Sequence, residues 1–234
     1  ISFKYPNAKE KAIKNISFEI PSRESIGIIG PSGSGKTTII DILLALLKPQ
    51  EGMILYNDVP LSEVENNWRS QVAYLPQQVF LIDSSLKLNV ALGEEDNSIN
   101  KHRLNAALKQ ARLSELVDQL PQGVDTLIGE RGVRLSGGQR QQVAFGRAMM
   151  TQPSVMLLDE PTAGVSPIVM DEIFSNILDV RNAGMAVLMV EQNAQQALNI
   201  ADKGYVLVSG RNEHTGTGSE LINDPEVRKK FLGG

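Results

Sequence analysis

Gly30-Pro31-Ser32-Gly33-Ser34-Gly35-Lys36-Thr37 follows the spacing GxxxxGK[ST], the pattern of a loop built to hold a chain of phosphates. Its glycines allow backbone N–H groups to turn inward onto phosphate oxygens. The start of the following helix adds a favourable dipole. Lys36 can reach the terminal phosphates, the Thr37 hydroxyl can ligate Mg²⁺, and Thr38 stands beside them. A second element, Val155-Met156-Leu157-Leu158-Asp159-Glu160, is an apolar run that delivers two carboxylates to the end of a strand, where ligands of open α/β sheets lie. Asp159 is suited to a Mg²⁺ shell, and Glu160 to orienting or deprotonating an attacking water. Taken alone, such a strand end reads better as a chain simply reaching solvent. Together with the phosphate loop it reads as the other half of a nucleotide site.

The elements needed to position these groups are visible in the apolar patterning. Residues 25–29 form a short, nearly continuous apolar run, and residues 37–47 are apolar almost all round, predicting a buried strand, a glycine turn and a buried helix. Residues 1–5 and 13–20 alternate at period two, predicting half-buried antiparallel strands, and 52–56 and 72–75 predict two more. From 85 to about 150 the chain reads as helical, with Leu104, Leu108 and Ala111 at helical spacing and loops at 93–97 and 121–123. Beyond Pro153 the runs 155–158, 186–190 and 205–208 are separated by helix-length segments, predicting parallel strands with crossover helices.

A chain of 234 residues can bury one large α/β core. Its net charge of −4, with both signs interspersed, gives no nucleic-acid footprint. The lack of cysteine excludes disulfides and fits a reducing, cytoplasmic compartment. The longest apolar run is far below the roughly 20 residues needed to span a bilayer, so solubility is expected. The chain begins at Ile1 without a methionine, which reads as a trimmed boundary.

With these motifs in order, and with Leu135-Ser136-Gly137-Gly138-Gln139 between them, the whole chain resembles the nucleotide-binding domain of ATP-binding cassette (ABC) proteins. Alone, that pentapeptide reads as a helix N-cap and turn. The resemblance implies a P-loop NTPase (RecA-like) α/β core with an antiparallel β subdomain and a helical insertion. One domain over 1–234 is expected: a β subdomain and phosphate-loop core to 83, a helical subdomain at 84–150, and the remaining core at 151–234. It further implies that ATP and Mg²⁺ are bound, with Tyr5 stacking on adenine and Gln77 touching Mg²⁺ and water while sensing a transmembrane partner. Ser136, Gly137, Gly138 and Gln139 would clamp the γ-phosphate held by a second protomer, making a head-to-tail homodimer in the presence of ATP. In parent families such domains sit at the cytoplasmic face beside transmembrane domains, which this chain lacks. The family's soluble DNA-repair and translation proteins fit poorly, lacking here the coiled-coil insertion or the second cassette.

Two positions depart from the family pattern. Gln192, in Val190-Glu191-Gln192-Asn193, stands where a histidine usually contacts the γ-phosphate, and glutamine can hydrogen-bond phosphate but carries no charge. His102 and His214 lie elsewhere and read as surface residues. The loop Pro161-Thr162-Ala163-Gly164-Val165-Ser166-Pro167 lacks the family's usual aspartate. The stretch at 190–193 and the ending from Asp224 to Gly234 resemble ATPase subunits of branched-chain amino-acid and related importers. Phe3-Lys4-Tyr5-Pro6, residues 72–80 and Ile128-Gly129-Glu130-Arg131-Gly132 resemble exporter domains. The mixture suggests a chimera, engineered or recombined, that turns importer-like from about Val143; a natural subfamily with both traits is the alternative. Two functions are carried forward: an ATPase with Glu160 as base, and a nucleotide-binding module with little or no turnover, since parts of two lineages would have to meet within about 0.5 Å.

Overall fold

The computed structural model describes residues 1–129 and 134–232. Elements from Glu130 to Val133, and the last two glycines, therefore lie outside the described residues, as does the core of the exporter-like Glu-Arg-Gly stretch.

A six-stranded sheet runs in the order β4-β5-β6-β1-β7-β8. Its strands are β1 (Ser25–Ile29), β4 (Val72–Leu75), β5 (Val155–Asp159), β6 (Ala186–Glu191), β7 (Lys203–Val208) and β8 (Arg211–Gly216). The first five are mutually parallel and β8 returns antiparallel to β7. A separate ribbon pairs β2 (Leu55–Tyr56) with β3 (Val59–Pro60). The helices are α1 (Lys36–Leu43), α2 (Glu65–Gln71), α3 (Leu86–Val90), α4 (Lys101–Gln110), α5 (Ser114–Gln119), α6 (Gly137–Met150), α7 (Pro167–Asn182), α8 (Ala194–Ile200), α9 (Gly218–Asn223) and α10 (Pro225–Val227).

Period-two alternation within the strands sorts their side chains into two cores. Ile26, Ile28, Leu157, Leu188, Val190, Tyr205 and Leu207 pack with α1 on one face. Ile29, Met156, Leu158, Val187, Met189 and Val206 pack on the other, with α3, α4, α6, α7 and α8. Both faces of the central strands are thus covered, which is why they are apolar throughout rather than alternating.

Register then fixes the site. Ile29 pairs with Glu191, Asp159 with Val190, and Leu75 with Leu158. The residues that follow four strands, Gly30, Gln77, Glu160 and Gln192, consequently emerge side by side at the carboxyl end of the sheet, the general ligand position of open α/β folds.

The N-terminal expectations are corrected. Residues 1–5 and 13–20 make only single antiparallel bridges, Ser2 to Glu51 and Phe3 to Ile13, although Phe3, Ile13 and Ile16 are buried. Pro6, Asn15 at φ 55° and Pro21 interrupt longer ladders. The strand expected over 52–56 is confined to Leu55–Tyr56, and the helix expected to reach 47 ends at Leu43. There the Trp68 indole N–H donates to the Leu43 carbonyl at 2.7 Å, and Ala45 turns left-handed at φ 57°.

Candidate functional site

The phosphate-loop turn is closed by conformation as much as by sequence. Gly35 stands at φ 107°, and a Cβ there would lie 2.8 Å from the Ala12 carbonyl, so the turn excludes any side chain. Lys36 is buried, and its Nζ donates to the carbonyls of Gly30 at 2.9 Å and Pro31 at 3.1 Å. It also lies 3.4 Å from Glu160 Oε1. Ser34 Oγ is buried with no hydrogen-bond partner, a polar atom left inside the loop that a phosphate oxygen would satisfy. Pro31, Ser32 and Gly33 are exposed along the loop's outer side.

Thr37 Oγ1 donates to Asp159 Oδ1 at 3.3 Å, joining the start of α1 to the end of β5. Asp159 is buried, and that burial raises its carboxyl above the usual range; the Thr37 bond opposes the rise and the neighbouring Glu160 adds to it. Among the described residues no three His, Asp or Glu side chains cluster as a metal cage. A hydroxyl, one carboxylate and a nearby amide are oxygen donors of the kind Mg²⁺ takes when phosphates complete its shell, so these residues fit that ion.

Glu160 is the hub. It adopts φ 46°, unusual for a residue with a side chain, and its N–H donates to the Val190 carbonyl at 2.9 Å. Gln77 Nε2 donates to Oε2 at 3.0 Å, and Gln192 Nε2 reaches both oxygens at 2.9 and 2.8 Å. Gln77 and Gln192 are themselves exposed, so the carboxylate is gripped from its solvent side by two neutral amides and from below by Lys36.

Tyr5 is half exposed beside α1, its hydroxyl 3.2 Å from Thr38 Oγ1 and its ring edge-on to Phe3 at 4.9 Å. This leaves an aromatic face at the mouth of the phosphate loop. His102 is exposed on α4, and His214 lies on β8 with Glu226 at 3.9 Å, neither of them at the site.

The Leu135–Gln139 stretch is built differently. Ser136 caps α6: its Oγ accepts from Gln139 N at 3.2 Å, and the Gln139 side chain accepts from Ser136 N at 2.9 Å, a closed capping box. Ser136 is exposed and Gly137 half-buried, whereas Gly138 is pressed onto α7, where a Cβ would fall 2.6 Å from Val169. Among the described residues no hydrogen bond ties this stretch to the Glu160 cluster.

Sequence reasoning passed over Glu191. It is 2% exposed and accepts four hydrogen bonds: Oε1 from Thr162 N at 3.1 Å and Thr162 Oγ1 at 2.7 Å, Oε2 from Gln192 N at 3.0 Å and Asn193 N at 3.3 Å. Burial raises its carboxyl, and the four donors oppose the rise. The available signal was an acid ending the otherwise apolar run 186–190.

Residues 13–163 match the family described as "ABC transporter". The chain is 33% identical over 233 residues to an uncharacterized ABC transporter ATP-binding protein, YfiB, of Bacillus subtilis, covering 99% of this chain and 39% of that protein. It is 30% identical over 227 residues to the lipopolysaccharide export system ATP-binding protein LptB of Haemophilus influenzae, covering 95% and 91%. A solved bacterial Atm1-family ABC exporter with ATP bound superposes with a TM-score of 0.88 at 27% identity, over all of this chain and 40% of that one. The chain belongs to the ABC transporter family, as an ATP-binding domain with exporter-type relatives. It spans about two fifths of the length of the Bacillus relative and of the Atm1-family exporter. Its fold is the P-loop NTPase α/β fold of that family, whose domains bind ATP with Mg²⁺. Among the described residues no helix is long and apolar enough to cross a membrane.

Proposed function

We propose that this domain binds Mg·ATP, pairs head-to-tail with a second copy around two nucleotides, and hydrolyses ATP with Glu160 as general base. The observation that carries this reading is the convergence on one carboxylate of Gln77, Gln192 and Lys36, beside the Thr37–Asp159 pair. Gly30 to Thr38 would hold the phosphates and Tyr5 the adenine, while Thr37, Asp159 and Gln77 would hold Mg²⁺. When bound, that ion neutralises charge developing on the phosphate oxygens. Glu160 would accept a proton from the attacking water as its oxygen bonds the γ-phosphorus and the bond to the ADP oxygen breaks. Lys36 offers positive charge on the side of the developing anion. Gln192 orients Glu160 and can donate to phosphate, but supplies no charge.

Ser136 to Gln139, at the exposed start of α6, would meet the γ-phosphate of the other protomer through the Ser136 hydroxyl and helix-end N–H groups. In this reading one domain comprises the three subdomains divided near 83 and 150, and it works at the cytoplasmic face, driving export through transmembrane domains. We also infer two ancestries joined near Val143, on the exporter-like and importer-like stretches of sequence. The matches here cover 95–99% of the chain in single natural proteins. Separate alignment of residues 1–142 and 143–234 decides between joined lineages and one lineage: distinct best relatives are expected, and one natural protein matching both parts equally removes the idea.

The hydrolysis reading is tested by phosphate release from the purified chain and from Glu160→Gln. Loss of a general base is worth about 10²–10⁴-fold in rate, with ATP still bound. ATP binding without release above the variant would instead establish a nucleotide-binding module without turnover.

A further inference from the structure

Glu191 is a carboxylate in a place where an apolar residue would continue the core strand. Burying a charge is costly unless its lone pairs are met, and well-packed apolar replacements of buried charges are often neutral or stabilising. The four donors it accepts are specific: two belong to Thr162, two residues after Glu160, and two are the backbone N–H groups of Gln192 and Asn193. No cation shares it among those bonds. The two oxygens are divided between two loops, one for each.

These contacts close a ring. From Glu160 the chain runs through Pro161 to Thr162, crosses by hydrogen bonds to Glu191, steps to Gln192, and returns through the Gln192 amide to both oxygens of Glu160. Glu160 sits in this ring at φ 46°, a conformation that persists only when its surroundings hold it. Without the Glu191 carboxylate, the two loops would keep the sheet bond from Glu160 N to the Val190 carbonyl and the Gln192 amide's own bonds to Glu160, but would lose the four bonds that fix where Gln192 and Thr162 stand.

We propose that Glu191 is a positioning residue: it clamps the loop at 160–166 to the turn at 192–193 so that Gln192 holds the Glu160 carboxylate in its working orientation. This rests on the reading of Glu160 as the general base. Thr162 is the clamp's second half, and its hydroxyl matters through Glu191 alone.

Glu191→Gln keeps the shape but replaces one accepting oxygen by an NH₂ group that faces donors. We expect kcat for ATP to fall about 10–100-fold with KM within twofold, because Lys36 and the phosphate loop are untouched; that range corresponds to one or two hydrogen bonds to a charged group. Thr162→Val should lower kcat in the same direction by less, Thr162→Ser should restore it, and the double variant Glu191→Gln/Thr162→Val should match Glu191→Gln alone. In the nucleotide-free protein, the Thr162 and Gln192 amide protons should exchange at least tenfold faster in Glu191→Gln while those of β1 keep their rates. A kcat within twofold of the parent, a multiplicative double variant, or Thr162→Ser no better than Thr162→Val overturns the clamp. If Glu191→Gln fails to fold, the Thr162 pair decides. If the parent chain releases no phosphate above Glu160→Gln, the base assignment falls and the exchange rates alone decide the clamp.

Discussion

Two parts of the molecule carry the motifs, and they are stabilised in opposite ways. The cluster around Glu160 draws Lys36, Gln77, Asp159 and Gln192 from the segments that follow or end four neighbouring strands, and its hydrogen bonds cross up to 122 residues of sequence. The Leu135–Gln139 stretch satisfies itself within four residues, through the Ser136–Gln139 capping box, and then presents an exposed helix start. The first is a site assembled by the fold and fails if any strand end shifts. The second is a locally capped helix start, and among the described residues no hydrogen bond joins it to the first. In the head-to-tail pairing proposed above, the second region would come from another copy, and the difference predicts that each can be broken without the other.

The largest effect expected is at the assembled site. Lys36→Met keeps the buried stem but removes the charge between Glu160 and the phosphate loop. Losing a charge-assisted hydrogen bond, worth about 1.5–3 kcal/mol, should weaken ATP binding about 10–100-fold and abolish measurable phosphate release. Fluorescent-nucleotide titration checks the first and a release assay the second. Melting of the nucleotide-free chain should show α6 intact. Unchanged affinity would mean that the loop grips phosphate through backbone groups alone.

A smaller effect is expected at the self-contained end. Ser136→Ala removes an N-cap and should cost about 1 kcal/mol, a melting shift of roughly 2–4 °C for a chain of this size. ATP affinity of the monomer should match the parent, while the nucleotide-dependent dimer of the Glu160→Gln background, measured by sizing, should be lost. If monomer affinity falls as it does in Lys36→Met, the two regions are coupled within one chain and the contrast drawn above is wrong.

How much of this was readable beforehand follows the same division. The parallel strands announced themselves as short, largely apolar runs: β4 matched its expected span and β5 and β6, covered on both faces, each ran one residue longer, into Asp159 and Glu191. The motifs at their ends were legible for the same reason. β8 was not, since Arg211–Gly216 is a polar edge strand with no period. What makes it a strand is the turn before it, where Ser209 and Gly210 both take positive φ, at 48° and 79°, as tight hairpins require. The N-terminal segments erred the other way, with the right period but prolines and a left-handed Asn15 that leave only single bridges. Glu191 was hidden because its role depends on Thr162, 29 residues away, a contact that only the register of β5 on β6 creates.

The smallest expected effect lies at the border of the assembled site, and it is read by pH. Tyr74, one residue before the end of β4, is half exposed, and its hydroxyl is pushed up to about 12, first by partial burial and then by the nearby charges of Asp159 and Asp41. Its folded value is raised above the ordinary 10.0, so the neutral phenol is favoured by folding. The stability this contributes is complete below pH 10 and is lost as pH rises from 10 toward 12. Absorbance titration should therefore show one of the four tyrosines ionising about two units late, and Tyr74→Phe should delete that step. The same variant should unfold like the parent at pH 8 and lose less stability than the parent between pH 10 and 12. A late step that survives in Tyr74→Phe would assign it to another tyrosine and detach Tyr74 from the carboxylates of the site. A late step that weakens when Asp159 is replaced by Asn would confirm that the charge at the end of β5 reaches the neighbouring strand, so that even the rim of the assembled site answers to the fold rather than to local sequence.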